Sequence, residues 1–341
     1  MRKRTIALTG ASGVVGRALL PELEDHEVVC LVHRGSVPEG DADVIRCDVA
    51  EPQLGLGRDE YRSLARRIDC VIHCAAVTDW ASPAERFRSV NVGGARSAIG
   101  LAQDAEAPLY HVSTSFIRAI ADDAPLRLPP SHIIVGYVTS KCDSEELVRE
   151  SGVPHTIFRP TNLIGDSRTG EIARNQIVQL VAEFVCRGKV PLFPTRPGTL
   201  VDVIPQDVCA KAVAAVVEAG DVGREYWLTY GEDAMPVSEA IDLCVELMER
   251  LGRPIEPPRV IDPASVDEAR LELETLSPMS RAFFDRLLEF SDGMTACGVF
   301  PSSLAMLRER YGLPDPSPRD AYVRGLEYWA ASKGMREPVG A

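Results

Sequence analysis

Tyr137 and Lys141 stand four residues apart in Tyr137-Val138-Thr139-Ser140-Lys141. On a helix that spacing puts a phenol and an ammonium on one face. The ammonium favours the phenolate, which makes the tyrosine a usable acid near neutral pH, and the lysine can also hold a ribose. A Tyr-x-x-x-Lys pair is common by chance, so its surroundings must give it meaning. Upstream, Thr9-Gly10-Ala11-Ser12-Gly13-Val14-Val15-Gly16 follows a short apolar run and opens a helical one. Glycines there let the backbone turn tightly against a pyrophosphate, and the helix N-terminus adds amide donors and a favourable dipole. Gly10, Ser12, Gly13, Val14, Val15 and Gly16 are therefore candidate dinucleotide-binding residues; the plainer reading is an ordinary turn.

Two further groups of residues fit that chemistry. Val32-His33-Arg34 ends the second apolar run. An acidic residue there would bind the ribose 2′-hydroxyl of NAD, whereas Arg34 suits the 2′-phosphate of NADP through a charge-assisted contact, with Arg17 as a second cation. The alternative for Arg34 is a solvated loop charge. His111-Val112-Ser113-Thr114-Ser115 closes the fifth run. Open α/β sheets bind ligands beyond the carboxyl ends of their strands, where a hydroxyl can donate to a carbonyl. The residues alone do not choose among Ser113, Thr114 and Ser115.

These residues need an alternating frame to position them, and the first half supplies one. Candidate strands are Thr5–Leu8, Val28–Val32, Val44–Cys47, Cys70–His73, Leu109–Val112 and Thr156–Phe158, rich in Val, Ile and Leu as buried parallel strands are. Candidate helices between them are Val14–Leu23, Glu60–Arg67, Pro83–Asp104 and Gly136–Glu150. The rhythm predicts an α/β fold, a doubly wound parallel sheet with right-handed crossovers. After about residue 165 it loosens. The spacing predicts helices over Glu171–Arg187, Gln206–Ala219, Val237–Leu251, Leu304–Tyr311 and Arg319–Lys333, and strands at Thr199–Ile204 and Tyr226–Thr229. Val190–Gly198, with three prolines, reads as an irregular connection, and Pro254–Pro263 as a boundary. The expected division is a dinucleotide-binding part over 1–165 and a mainly helical substrate lobe over 166–341, with about 199–230 returning to the first part.

The 341 residues carry 37 Lys+Arg against 50 Asp+Glu, a formal charge of -13. Such a surface repels nucleic acid and anionic membranes. The apolar run after Met1-Arg2-Lys3-Arg4 stops at Gly10, too short for a secretory signal, and no stretch is long enough to span a bilayer. Nine scattered cysteines without a Cys-x-x-Cys fit reduced thiols in a cytoplasm, and the six histidines form no metal-ligand set.

The spacing of Gly10, Gly13 and Gly16 behind Thr9 resembles the Thr-Gly-x-x-Gly-x-x-Gly of extended short-chain dehydrogenases/reductases. His73-Cys74-Ala75-Ala76, Asn91-Val92-Gly93-Gly94, His111-Val112-Ser113-Thr114, Tyr137…Lys141 and Arg159-Pro160-Thr161-Asn162 follow in the order that family uses. The resemblance implies a Rossmann fold, NADP(H) as cofactor, and Thr114 as the catalytic hydroxyl beside Tyr137 and Lys141. It implies that Asp48 and Val49 lie by the adenine, that Ala75 and Ala76 pass the nicotinamide, and that Pro160 and Asn162 lie near its carboxamide end. Asn91 would be mainly structural.

Arg159-Pro160 followed by Gly165-Asp166-Ser167-Arg168-Thr169-Gly170 is similar to thioester reductases, the reductive release domains of nonribosomal peptide synthetases and carboxylic acid reductases, and to their fatty acyl-CoA reductase relatives. Val201-Asp202-Val203-Ile204-Pro205 fits the same branch, and the resemblance spans roughly residues 5–215. It implies an NADPH-dependent reductase of an acyl-CoA or carrier-bound acyl group, giving aldehyde or alcohol. The sequence holds no adenylation or carrier domain, so an acyl carrier protein would act in trans. Carriers are acidic, and Arg168, Arg174, Arg187, Lys189 and Arg196 are the candidate basic patch. The alternatives are a carbonyl reductase, an enzyme on sugar nucleotides, and a non-catalytic NADP sensor. Ser115-Phe116 replaces the Asp-Glu of nucleotide-sugar dehydratases, and the retained Tyr137 and Lys141 count against a sensor.

Overall fold

The Val-, Ile- and Leu-rich runs of the first half become parallel strands, buried except at the sheet edge, where Asp43–Arg46 is largely exposed, and the amphipathic stretches between them become the crossovers. The computed structural model describes residues 3–37 and 43–336, apart from the side chains of Glu268 and Arg270. In the first half, β1 (Thr5–Thr9), β2 (Glu27–Val32), β3 (Asp43–Arg46), β4 (Cys70–His73), β5 (Leu109–Val112) and β6 (His155–Pro160) alternate with α1 (Val14–Glu22), α2 (Arg58–Arg67), α3 (Ala84–Arg86), α4 (Gly93–Asp104) and α5 (Ile133–Glu150). The second half contributes β7 (Asn162–Ile164), α6 (Ile177–Cys186), β8 (Leu192–Pro194), β9 (Leu200–Val201), β10 (Val203–Pro205), α7 (Gln206–Ala219), β11 (Arg224–Leu228) and β12 (Met235–Pro236). It ends with α8 (Val237–Arg250), β13 (Arg259–Ile261), α9 (Arg270–Thr275), α10 (Pro278–Cys297), α11 (Leu304–Tyr311) and α12 (Pro318–Ser332).

Seven parallel strands make the central sheet in the order β11-β6-β5-β4-β1-β2-β3. This is the doubly wound Rossmann sheet that the sequence predicted. The order reverses between β1 and β4, so a crevice opens beyond their carboxyl ends. One face buries Leu8, Leu19, Val213 and Val217, where α1 and α7 cover the sheet. The other buries Ala7, Val29, Leu64 and Leu101 under α2 and α4. A separate core around Val185, Ile241, Leu247 and Trp329 joins α6, α8 and α12.

Several elements differ from the sequence expectation for local reasons. The single helix expected over Pro83–Asp104 contains a wide π-type turn over Phe87–Val92 between α3 and α4. Ser144 Oγ on α5 donates to the Asn91 carbonyl at 3.1 Å and so supplies a partner at the widened turn. The helix expected from Glu171 begins only at Ile177, because Gln176 and Gln179 form a capping box there. The strand expected over Thr199–Ile204 splits into β9, antiparallel to β12, and β10, parallel to β7. Asp202 lies at the break and its carboxylate accepts the Tyr230 and Gly231 amides at 3.1 and 2.8 Å. Burial dominates its environment and pushes its pKa up to about 6 despite those two donors. Within the stretch expected to be irregular, Leu192–Pro194 pairs with β13.

The 20-residue α10 has no counterpart in the sequence expectation. Its signals were present: Ser277 caps it, Pro278 opens it and Gly298 closes it. Among the described residues, no helix is long and apolar enough to cross a membrane.

Candidate active site

The turn after β1 is built around glycine. Gly10 has φ +71°, and a Cβ there would lie 2.7 Å from the Ala75 amide nitrogen. A Cβ on Gly16 would lie 2.2 Å from the Gly10 carbonyl oxygen. At Gly13 the nearest atom would be that same oxygen at 3.2 Å, so this glycine is the least enclosed of the three. Gly13 is also the N-cap of α1, and no side chain caps the helix. The first-turn amides, those of Val14 and Val15 among them, are thus free of a side-chain acceptor and suit an anion. Thr9 Oγ1 ties the turn to β4, bonding His73 Nδ1 at 2.8 Å and accepting the Ala75 amide at 3.2 Å. Ala75 and Ala76 therefore pass beside the glycine turn, at the switch point of the sheet.

Arginines gather at the loop after β2. Arg34 is exposed at the loop tip. Arg17 donates to the Ser12 carbonyl at 3.1 Å and the Ser36 carbonyl at 2.7 Å. Arg46 donates to the Gly35 carbonyl at 2.6 Å. A Cβ on Gly35 would sit 2.3 Å from Ser12 Oγ, so this loop packs directly on the glycine turn. Sequence reasoning named Arg17 and Arg34 but missed Arg46. The missing signal is register: Arg46 pairs with Val32 across β2 and β3. Asp48 is held locally, accepting the Ala50 amide at 3.0 Å and lying 3.4 Å from His33 Nε2. Val49 packs on α4, where a Gly94 Cβ would meet it at 3.2 Å.

Beyond β5 and the start of α5, Thr114, Tyr137 and Lys141 come together, all buried. Burial pushes the Tyr137 phenol up to about 12, while the Thr114 hydroxyl beside it, which favours the ionised phenol, pulls the other way. That contact distinguishes Thr114 from its neighbours. Ser113 and Ser115 hydroxyls are buried without a partner. Lys141 Nζ donates to the Val112 carbonyl at 2.8 Å. Burial lowers its pKa to about 8, opposed by the carboxylate of Glu145 one turn on and by Cys74. The expectation that Lys141 governs the phenol is thus modified: burial is the largest influence on Tyr137 and Thr114 the opposing one.

Supporting contacts fix this group. Asn91 accepts the Val77 amide at 2.7 Å and donates to the Val77 carbonyl at 3.1 Å and Ser140 Oγ at 2.9 Å. It therefore pins the segment after β4 to the helix that carries Tyr137. His73 and His111 stack at 5.4 Å beneath the site, and burial lowers the His73 pKa to about 3, so the ring is neutral. Arg159 grips Glu145 through two bonds, 2.9 and 2.7 Å, and lies 4.6 Å over the Trp227 ring, locking α5 onto β6 and β11. Pro160 ends β6 opposite Leu228. Asn162 Nδ2 and Thr161 Oγ1 both donate to the Asp202 carbonyl, at 2.9 and 3.0 Å. In this arrangement the Asn162 side chain holds the strand connection.

The Gly165–Gly170 loop is a closed turn. Asp166 Oδ1 accepts the Arg168 and Thr169 amides, each at 3.0 Å, and Ser167 bonds both oxygens of Asp207 at the start of α7. A Cβ on Gly170 would lie 2.1 Å from the Arg324 carbonyl of α12, so the loop sits flush against that helix. The expected basic patch is largely neutralised: Arg168 pairs with Asp166, Arg187 with Glu183, and Arg196 with Asp292.

A model of an NAD-binding family, described as male sterility protein, matches residues 39–213. The chain belongs to this family. It is 31% identical over 225 residues to the hybrid PKS-NRPS synthetase pvhA of Talaromyces variabilis, a match covering 62% of the chain and 6% of that protein. It is 26% identical over 295 residues to glycine betaine reductase ATRR of Emericella nidulans, covering 74% of the chain and 23% of the relative. The chain thus spans a small part of the curated relatives it matches. Among solved structures, the terminal R domain from the myxalamid PKS-NRPS pathway superposes with a TM-score of 0.78 at 25% identity, covering 99% of this chain and 93% of that one. The reductase domain of a nonribosomal peptide synthetase from Mycobacterium tuberculosis shares the fold, with a TM-score of 0.67 at 23% identity over 96% of this chain and 92% of that one. The expectation of an extended short-chain dehydrogenase/reductase of the thioester-reductase branch is borne out, and with it that of an oxidoreductase.

The buried Lys141 amine predicts a pH dependence for this male sterility family member. Below about 8 the buried amine carries its proton, and above it the charge is lost. Tyr137, at about 12, keeps its proton throughout that range. A profile of kcat/KM should therefore fall on the alkaline side near 8, and Lys141→Arg, which stays charged, should abolish that limb in whatever activity it retains.

Proposed function

We propose that this protein reduces acyl thioesters, borne on coenzyme A or an acyl carrier protein, to an aldehyde or alcohol with NADPH. The observation that carries this is the convergence of buried Thr114, Tyr137 and Lys141 beyond the carboxyl end of β5, in an R-domain-like fold. The curated relatives and the myxalamid R domain support it, being synthetases, a reductase and the terminal domain of a synthetase pathway.

The glycine turn with its uncapped helix fits a pyrophosphate, and Arg17, Arg34 and Arg46 fit a 2′-phosphate. When bound there, the nicotinamide supplies a hydride. Tyr137 and Thr114 offer hydroxyl donors to the carbonyl oxygen as it becomes an oxyanion. Tyr137, kept protonated by burial, gives its proton to that oxygen, and the buried Lys141 ammonium stabilises the resulting phenolate. The hemithioacetal then loses its thiol: the C–S bond breaks, sulfur takes the electron pair and a proton, and an aldehyde remains.

The cofactor preference has its own test. A charge-assisted contact contributes about 1.5–3 kcal/mol, so Arg34→Ala should raise the KM for NADPH by roughly ten- to a hundredfold and leave that for NADH unchanged. Steady-state kinetics with both cofactors decides it. Equal effects on both would remove the 2′-phosphate assignment. The reading as a whole is tested by purified protein with NADPH and acyl-pantetheine, following free thiol. Thiol released only with NADPH supports it; NADPH oxidised by simple ketones without thiol release from any thioester overturns it.

A further inference from the structure

Where α6, α8 and α12 end together lies a cavity of about 440 Å³, a size ordinary for a small-molecule site. The three ends are built alike. Each helix runs into a left-handed glycine, Gly188, Gly252 or Gly334. The next residue then donates its amide back to the helix: Lys189 to the Phe184 carbonyl at 3.0 Å, Arg253 to that of Met248 at 2.9 Å, and Met335 to that of Ala330 at 3.0 Å. Such a bond closes a helix and fixes the residue that makes it. All three of those residues line the cavity. Two of the turns also touch, since a Cβ on Gly188 would lie 3.8 Å from the Ile255 side chain. The walls are therefore fixed turns.

The residue after such a glycine is frequently apolar and packs on its own helix, yet two of these three are cations. Arg187, Lys189, Arg253 and Lys333 all line the cavity, and among the described residues no carboxylate does. In a chain of formal charge -13 this is the reverse of the average surface. Part of that charge is already used. Arg187 and Lys333 are the caps of α6 and α12, where cations offset the negative helix ends, and they lie 2.6 and 3.9 Å from Glu183. Lys189 and Arg253 lie past the helix ends, exposed, and among the described residues neither has a carboxylate partner. The rest of the lining is apolar, with Trp329 its largest member. Trp329 is only 9% exposed, and its Nε1 is buried without a partner, whereas a buried indole usually finds one.

We infer that this cavity binds a phosphorylated aromatic small molecule of mononucleotide size. Its planar ring lies against Trp329, Met248 and Met335, and its phosphates are held by Lys189 and Arg253. Arginine meets phosphate oxygens two at a time and lysine adds a point charge, so the pair suits more than one acidic group. Neither half of the ligand suffices: a bare polyphosphate leaves the apolar wall unfilled, and a nucleoside leaves both cations unused. The lining shares no residue with the glycine turn or with Thr114, Tyr137 and Lys141, so the site is distinct from the cofactor crevice. The inference does not depend on the thioester-reductase reading.

The test uses the whole chain loaded with one equivalent of NADPH, so that the crevice is filled. It is titrated calorimetrically with adenosine diphosphate, inorganic tripolyphosphate and adenosine. The diphosphate should bind as one further equivalent, at least about tenfold more tightly than either of the other two. Lys189→Glu/Arg253→Glu, at two exposed positions, should weaken it by at least about tenfold while leaving the melting temperature and NADPH affinity unchanged. Adenosine diphosphate should also quench tryptophan emission in the wild type and not in Trp329→Phe, where only Trp80 and Trp227 emit. Should Trp329→Phe melt early, the charge reversal decides alone. No binding of the diphosphate at millimolar concentration, or binding undiminished by the charge reversal, overturns the inference. Tripolyphosphate bound as tightly as the diphosphate overturns it too, since that marks an anion patch without a ring site. So does affinity for an acidic protein surface without affinity for the diphosphate.

Discussion

Replacing Tyr137 with phenylalanine should lower kcat by about a thousandfold or more, within the range a positioned general acid supplies together with a lost oxyanion donor. The change removes one oxygen and keeps the ring. The ring contact with Phe87, at 6.2 Å, and the burial among Phe116, Ile134 and Val138 are retained, so the helix that carries residue 137 stays in place. Thr114 still accepts the Phe116 amide at 3.3 Å. Lys141 keeps its bond to the Val112 carbonyl and stays available to a ribose. NADPH affinity, measured by fluorescence titration, should therefore change less than about threefold, well under one charge-assisted bond. Loss of turnover with intact binding identifies a group that acts on the reacting atoms. Retained turnover removes Tyr137 from the mechanism.

The second large effect is structural. Gly16→Ala should abolish measurable NADPH binding and destabilise the fold by about 1–3 kcal/mol, the ordinary cost of an overpacked core position. The added carbon would fall 2.2 Å from the Gly10 oxygen and 2.7 Å from the Ala11 Cα, and both are backbone atoms that cannot rotate aside. Helix α1 must then back away from the turn, taking the Val14 and Val15 amides with it. Gly13→Ala is the control. Its Cβ would meet only the Gly10 oxygen at 3.2 Å, so the fold should stand while the methyl crowds the pyrophosphate side. Thermal melts and NADPH titrations of the two variants separate these outcomes. A Gly16→Ala protein that binds NADPH normally would contradict the assignment of the turn.

Much of the site was legible because its chemistry depends on spacing within single segments. The glycine turn, the Tyr137–Lys141 pair and the arginine after β2 each sit on one element, and one-dimensional periodicity reports those. Thr114 was separable from Ser113 and Ser115 only by resemblance, since three adjacent hydroxyls look alike until a folded partner selects one. Arg46 was invisible because its place depends on β3 lying beside β2 in the folded sheet. The π-type turn at Phe87–Val92 needed Ser144, far along the chain, to complete it. The apolar cavity between α6, α8 and α10 draws its walls from several elements, and no local pattern announces such a space. In the second half, Asp202 broke an apparent strand by bonding amides 28 and 29 residues on, again a tertiary effect that propensity does not carry.

In the proposed reaction hydride passes to a thioester carbonyl held at Tyr137. The most direct measurement uses NADPH carrying deuterium at the transferring position of the nicotinamide, an acyl-pantetheine substrate, and mass analysis of the product with thiol counted in parallel. Deuterium is expected on the former carbonyl carbon, with one thiol per aldehyde formed, and neither in Tyr137→Phe. Thiol released without deuterium in the product, or deuterium found only when an aldehyde or ketone is the substrate, would contradict it.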